Sequence, residues 1–266
     1  MAYTLTDQHK EALEQDGYFF VRGVLNHHAV EEIKGEIESL LVSNLSNKQD
    51  ADNSRADGKS IVGTDMFRKL AFVDQKSPAV WNNLVLSKTA IELNTYYLGD
   101  DYQSRGVFLF TKPAKIGEPT PWHQDIGLWT QSKASKANMD AYRPTTNMWV
   151  ALDPANRSNG CLQVVPGSHK TEVIEHVKYD DAVHVELPRH LTENLDVFHI
   201  ELEPGDALFW HSNLWHYSPK NLSESKRWGL GMIALDEENM RRIGQDSKPY
   251  ILKNGEPQQF PGSASA

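Results

Sequence analysis

Glu203-Pro204-Gly205-Asp206-Ala207-Leu208-Phe209-Trp210-His211-Ser212-Asn213-Leu214-Trp215-His216-Tyr217-Ser218-Pro219 is the stretch that decides the fold. Gly205-Asp206 reads as a tight turn, Ala207 to Trp210 as a buried strand, and His216 to Pro219 as the return toward the opening. Working outward, the same grammar recurs at Val107 to Thr111, Thr146 to Leu152, Leu162 to Val165, Val197 to Leu202 and Trp228 to Leu235. These are short runs rich in Val, Phe, Leu and Trp, separated by Gly, Pro and Asn. Many short strands set off by turn chemistry predict an all-β sandwich or barrel.

The first hundred residues read differently. Thr6 caps a short helix that Gly17 ends, and Tyr18 to Val21 form a buried strand. Val30, Ile33, Ile37, Leu40 and Leu41 recur at helical spacing behind Asn26 as cap. Ser77-Pro78 opens another helix running through Leu86 and Ile91 toward Tyr97. Between these helices, residues 43–60 are polar, which fits a lid or an insertion without a role. The chain after Gly255 is expected to fray.

Composition narrows the function. A net charge of −9 argues against nucleic acid or an anionic membrane as main partner, since both demand a basic surface. No apolar run approaches bilayer length, and the N-terminus lacks the basic and apolar regions of a signal peptide. The single cysteine, Cys161, excludes an intrachain disulfide and fits a reducing compartment, so a cytoplasmic location is expected. The sequons at Asn44, Asn156 and Asn221 then read as accidental.

The chemistry lies in Pro121-Trp122-His123-Gln124-Asp125 and in His216-Tyr217-Ser218 with Arg227 downstream. Placed on a strand, His123 and Asp125 point to one face, so both reach one metal. A second imidazole completes a set of two His and one carboxylate, which leaves one side of a non-haem Fe(II) open; Zn(II) and Mn(II) accept the same donors. His216 is preferred to His211 as the second imidazole, because only His216 has an arginine at a suitable distance beyond it. Arg227 opens an apolar run and needs a partner there. An acidic cosubstrate held bidentately serves, as does an ordinary Asp or Glu. The remaining histidines are expected in surface or structural roles.

These blocks resemble the phytanoyl-CoA dioxygenase family of Fe(II)/2-oxoglutarate-dependent oxygenases. The resemblance rests on Pro121 to Asp125, on Asn159-Gly160-Cys161-Leu162-Gln163-Val164-Val165-Pro166-Gly167-Ser168-His169, on Gly205-Asp206 with His216 to Ser223 and Arg227, and on Asp16-Gly17-Tyr18-Phe19. It implies a mainly β fold with N-terminal helices, a double-stranded β-helix (jelly roll, cupin-like). It further implies a single dioxygenase domain over 1–266, with a mainly helical flank at 1–100, the jelly-roll core at 101–240 and a tail at 241–266. By motif, His123, Asp125 and His216 become the iron ligands, and Arg227 with Ser218 binds the distal carboxylate of 2-oxoglutarate. Trp149 lines the cosubstrate site or packs as a core aromatic, and Lys69 matches a family lysine near the cosubstrate.

The implied cofactors are Fe(II), 2-oxoglutarate as cosubstrate and O2, and the implied partner is a small-molecule substrate. The expected reaction is hydroxylation of an unactivated C–H with release of succinate and CO2. A filled carboxylate position at Asp125 favours it over halogenation. Desaturation, epimerisation and ring formation stay open, as do a non-catalytic metal-binding module and a zinc hydrolase. Trp122, Trp129, Tyr142, Trp210 and Trp215 are expected to form an aromatic wall, about half of them filling the core instead. The stretch Ile126 to Tyr142 is longer than the family pattern.

Overall fold

The computed structural model describes residues 5–46, 69–129, 146–181, 185–242 and 248–264. The expected early elements form. Helix α1 is Asp7–Gln15, with the Thr6 side chain accepting from the His9 N–H. Strand β1 is Tyr18–Val21, and helix α2 is His27–Ser46, where Asn26 Oδ1 accepts from the Ala29 N–H at 2.9 Å. The single helix expected from Ser77 toward Tyr97 is instead two pieces. A π-helical turn at Val80–Val85 ends at Leu86, and α3 (Lys88–Leu98) starts afresh with Ser87 capping the Ala90 N–H. A serine that satisfies a free helix N–H starts a new helix there instead of extending the old one.

The remaining strands build two antiparallel sheets. The larger contains β1, β2 (Lys69–Leu70), β3 (Tyr102–Lys112), β5 (Thr146–Ala151), β8 (Ala207–His211), β10 (Arg227–Leu235), β11 (Tyr250–Lys253) and β12 (Glu256–Pro257). Its order is β1-β8-β5-β10-β3-β11-β12, with β2 beside β3. The smaller has the order β4-β9-β6-β7, made of β4 (Thr120–His123), β9 (His216–Ser218), β6 (Leu162–Val164) and β7 (Phe198–Ile200). Non-sequential neighbours in both sheets are what a jelly roll requires. Every strand pair is antiparallel. Helices α2 and α3 pack with the outward face of the larger sheet in one apolar cluster, which includes Ile33, Ile37, Leu93, Val150, Phe209 and Leu230. That layer backs the sheet whose other face carries the site.

The Gly205-Asp206 turn acts as predicted. Gly205 has φ +90°, and a Cβ there would meet the Leu25 carbonyl oxygen at 2.2 Å. Asp206 accepts from the Gly23 N–H at 2.8 Å and from Arg22 at 2.6 Å, pinning the end of β1 to the start of β8. The fraying expected after Gly255 is not found through Ala264. The β11–β12 hairpin is followed by a 3-10 turn, Pro261–Ala264, and the Trp81 indole donates to the Gln258 carbonyl at 3.1 Å. A buried indole N–H seeks an acceptor, and the tail supplies it. Residues 47–60 of the expected lid, and 130–142 of the long stretch after the metal motif, lie outside the described residues. Among the described residues no helix is long and apolar enough to cross a membrane. Asn221 is fully buried, which closes that sequon to a glycan in the folded chain.

His169 and His211 form the seat for the turn between α1 and β1. Their rings are 5.2 Å apart, His169 Nε2–H donates to the Glu14 carbonyl, and the His211 N–H donates to the Gly17 carbonyl. Gly17 has φ +83° and abuts the His169 ring, so only glycine fits. Burial, helped by the adjacent His169, lowers the His211 pKa from 6.5 to about 4. A group whose folded pKa lies below its unfolded value gives stability that is complete above pH 6.5 and lost as pH falls toward 4. The expected loss approaches roughly 3 kcal/mol by pH 4. Chemical denaturation at pH 7.5 and pH 5 checks this: His211→Gln should narrow the gap between the two midpoints, and an unchanged gap would refute it.

Candidate metal centre and its cavity

β4 and β9 lie side by side, with His123 opposite His216 in the ladder. Their ring centroids are 4.0 Å apart. Each ring is oriented by a backbone carbonyl. His123 Nδ1–H donates to Pro121 O at 2.7 Å, and His216 Nδ1–H donates to Leu214 O at 2.9 Å. With Nδ1 turned to a carbonyl in each ring, the Nε2 atoms are the ones that face Asp125 and one another's strand, the edge a metal would use.

Asp125 is not on the strand, as the His-x-Asp spacing had suggested. β4 ends at His123, and Asp125 is the first residue of a short helix, α4 (Asp125–Trp129). The carboxylate is brought back by the helical turn and not by strand alternation. Its Oδ1 lies 3.6 Å from His123 Nε2 and 3.8 Å from His216 Nε2. One ligand atom from each of the three residues falls within 4.8 Å of the others, a grouping able to hold a metal ion. Burial lowers the His216 pKa to about 4, so the imidazole is neutral at physiological pH. For Asp125 burial pushes upward, but His216, His123 and the Trp210 N–H outweigh it and hold the carboxylate at about 2. A deprotonated carboxylate and two neutral imidazoles are the states in which these groups ligate.

Gln124, between His123 and Asp125, turns away from them and is fully buried. Its side chain donates to the Glu172 and Asn213 carbonyls and accepts from the Ile174 N–H. Its own backbone N–H donates to His176 Nε2 at 3.0 Å. One amide therefore ties the β8–β9 turn and the 172–176 segment to the metal motif. His176, expected only as a surface or structural residue, is structural and packs against Gly127, where a Cβ would strike its ring. His211 ends β8 in the other sheet beside His169 and is not part of the His123–Asp125–His216 group.

A cavity of about 590 Å³ opens beside these three side chains and reaches all seven of the site residues expected from the sequence: Lys69, His123, Asp125, Trp149, His216, Ser218 and Arg227. Arg227 is 2% exposed and stacks on the Trp149 ring, 5.0 Å from its centroid. Gly229 makes the room, since a Cβ there would sit 1.9 Å from that indole. Arg227 donates to the Gly160 carbonyl and, at 3.5 Å, to Ser218 Oγ, whose own hydroxyl also donates to Gly160. No Asp or Glu pairs with it among the described residues, and its Nε has no hydrogen-bond partner. The salt bridge that the sequence left open is therefore not found there. Burial lowers the Arg227 pKa to about 10, which leaves the cation charged at neutral pH.

Two further wall features escaped the sequence. Lys112, 4% exposed, donates to the carbonyls of Glu118, Ser218 and Pro219, joining the β3–β4 loop to the end of β9. Asn147 and Trp210 both reach Asp125, as taken up below. No spacing signal marks Lys112 or Asn147, and Trp210 was expected only in the aromatic wall, without a contact to Asp125. The aromatic wall also differs from expectation. Trp210 lines the cavity, whereas Trp122 stacks on Tyr217 at 5.3 Å and Trp215 lies off the lining. Phe72, Phe108 and Phe110 supply the rest, with Lys69 Nζ 4.2 Å from the Phe108 ring. The Trp129 side chain and Tyr142 lie outside the described residues.

Fold and site together define an antiparallel jelly roll carrying a two-histidine, one-carboxylate donor set beside a buried arginine. The phytanoyl-CoA dioxygenase (PhyH) family profile matches residues 13–229, and the chain belongs to that family. Phytanoyl-CoA dioxygenase 1 of Oryza sativa subsp. japonica is 28% identical over 135 residues, 50% of this chain and 44% of the rice protein. The chain thus spans less than half the length of that relative. A phytanoyl-CoA dioxygenase domain-containing protein 1 homolog from Caenorhabditis briggsae is 24% identical over 292 residues, covering 95% of this chain and 97% of that one. Among solved structures, EctD from S. alaskensis with bound Fe aligns at TM-score 0.71 and 21% identity, over 96% of this chain and 86% of that one. The same protein with 2-oxoglutarate and 5-hydroxyectoine aligns at 0.70. The likeness to EctD is one of fold.

Proposed function

We propose that this chain is a non-haem Fe(II)/2-oxoglutarate-dependent oxygenase, formed as one domain, that hydroxylates a C–H bond of a small molecule. The observation that carries the reading is Arg227: a buried cation with no described carboxylate partner, in the same cavity as a complete metal donor set. A buried charge left unpaired is costly, and an acidic ligand relieves the cost.

In this reading His123, Asp125 and His216 hold the iron. When bound, iron with 2-oxoglutarate and O2 supplies the oxidation of the C–H bond, with succinate and CO2 as coproducts. The protein provides position and exclusion. Arg227 and Ser218 receive the distal carboxylate, and Trp149 backs the guanidinium from its other side. Phe108, Phe110 and Trp210 keep water from the reacting carbon. Lys69, the first residue of β2, lines the same cavity and adds a positive charge to its wall. Asp125 fills the third ligand position, which favours hydroxylation over halogenation. A zinc hydrolase would use the same donors but gives Arg227 nothing to bind, and a binding module needs no such cation.

Metal-free protein mixed with Fe(II) and 2-oxoglutarate under strict anaerobiosis tests the reading. A weak visible charge-transfer band that appears only with both additions is expected. Folded, metal-loaded protein that gives no band would rule out chelation of 2-oxoglutarate at this centre.

A further inference from the structure

The Asp125 carboxylate is held unequally. Its Oδ1 faces the two imidazoles, while its Oδ2 accepts two hydrogen bonds, from Asn147 Nδ2 at 2.5 Å and from Trp210 Nε1 at 2.9 Å. The donors are cross-strand partners, Asn147 on β5 opposite Trp210 on β8. Asn147 is 1% exposed, and its buried Oδ1 has no hydrogen-bond partner among the described residues. A buried amide with one end unsatisfied costs folding free energy, so an apolar residue would serve the sheet better. Among the described residues, the one hydrogen bond of this side chain is the one to Asp125.

We propose that Asn147 and Trp210 are positioning residues that clamp Asp125 as a single-oxygen metal ligand; this rests on the Fe(II)/2-oxoglutarate reading. Turning the carboxylate so that both oxygens reach the metal would break two buried hydrogen bonds. Two imidazole nitrogens and one carboxylate oxygen leave room for a chelating cosubstrate and for dioxygen, whereas a carboxylate binding through both oxygens would take one of those places. The clamp therefore protects the open positions rather than creating the site.

Asn147→Leu and Trp210→Phe each delete one donor and keep the bulk of the side chain. Both variants and their double would be titrated anaerobically with 2-oxoglutarate at saturating Fe(II), following the visible band, alongside thermal unfolding of the metal-free proteins. For Asn147→Leu the loss of one hydrogen bond to Asp125 and the removal of an unsatisfied amide oxygen offset each other, so the midpoint temperature should change little, while the 2-oxoglutarate needed for half-saturation rises about 10- to 100-fold, the scale typical of groups that orient ligands. Trp210→Phe should move the titration in the same direction, and the double variant should exceed either. If wild type gives the band and all three variants titrate like wild type, the clamp is overturned and the function stands. If Asn147→Leu loses stability while Trp210→Phe titrates normally, Asn147 is structural and the clamp is again overturned. Absence of the band in wild type removes the function and the clamp with it.

Discussion

Arg227→Ala is expected to raise the 2-oxoglutarate concentration for half-saturation by roughly 30- to 1,000-fold while leaving Fe(II) binding intact. Truncating one partner of a buried, hydrogen-bonded charge pair costs about 2–4 kcal/mol, which sets that range. The split between cosubstrate and metal is the informative part, because Arg227 shares the cavity with the ligands without being one of them. Stability should move the other way. An arginine in a structural salt bridge would leave a buried carboxylate stranded when removed, but Arg227 has no such partner among the described residues. The ligand-free variant should therefore unfold no earlier than wild type, and excess 2-oxoglutarate should raise the midpoint of wild type far more than that of the variant. Arg227→Lys should not restore binding, since an ammonium lacks the planar fork and the stacking on Trp149. Equal cosubstrate titrations in wild type and Arg227→Ala would remove the arginine from the site.

Asp125→Ala is expected to weaken Fe(II) binding by about 100-fold or more, beyond what loss of an orienting neighbour costs. It removes the only anionic member of the donor set and strands the N–H groups of Asn147 and Trp210. Each stranded donor costs about 1–3 kcal/mol, so some loss of stability accompanies the loss of metal. Asp125→Asn separates the two effects. Its amide oxygen can accept both N–H bonds, so the fold is retained, but it offers the metal a neutral ligand. Fe(II) titration of Asp125→Asn should show weak binding in a protein with a near-normal unfolding midpoint. Wild-type affinity in that variant would mean the carboxylate charge is not part of the metal centre.

Much of this was written locally in the chain. Thr6 and Asn26 announce their helices because a side-chain oxygen close in sequence satisfies a free N–H. Gly205-Asp206 announces its turn because the positive φ and the capping carboxylate belong to adjacent residues. His123, Asp125, His216 and Arg227, grouped in the sequence by residue type and spacing, line one cavity, although the conformation assumed between His123 and Asp125 was wrong. A strand and a helical turn can both return a carboxylate to its neighbour, and spacing does not choose between them. The break at Ser87 and the anchored tail were missed for a related reason. A cap competes with an otherwise continuous apolar pattern, and the Trp81 indole meets Gln258 across 177 residues of chain.

The sequence alone determined which donors exist, how strands and helices divide the chain, and that a cation lies near the second histidine. Tertiary structure alone decided how those groups are held. Asn147 reaches Asp125 across 22 residues and Trp210 across 85, and Lys112 meets Pro219 across 107. Strand register makes these contacts, and register is a property of the whole sheet, fixed by which faces are buried and by how the turns close. A hydrogen bond between distant residues leaves no local pattern, so the residues that orient the centre became visible only once the two sheets were assembled.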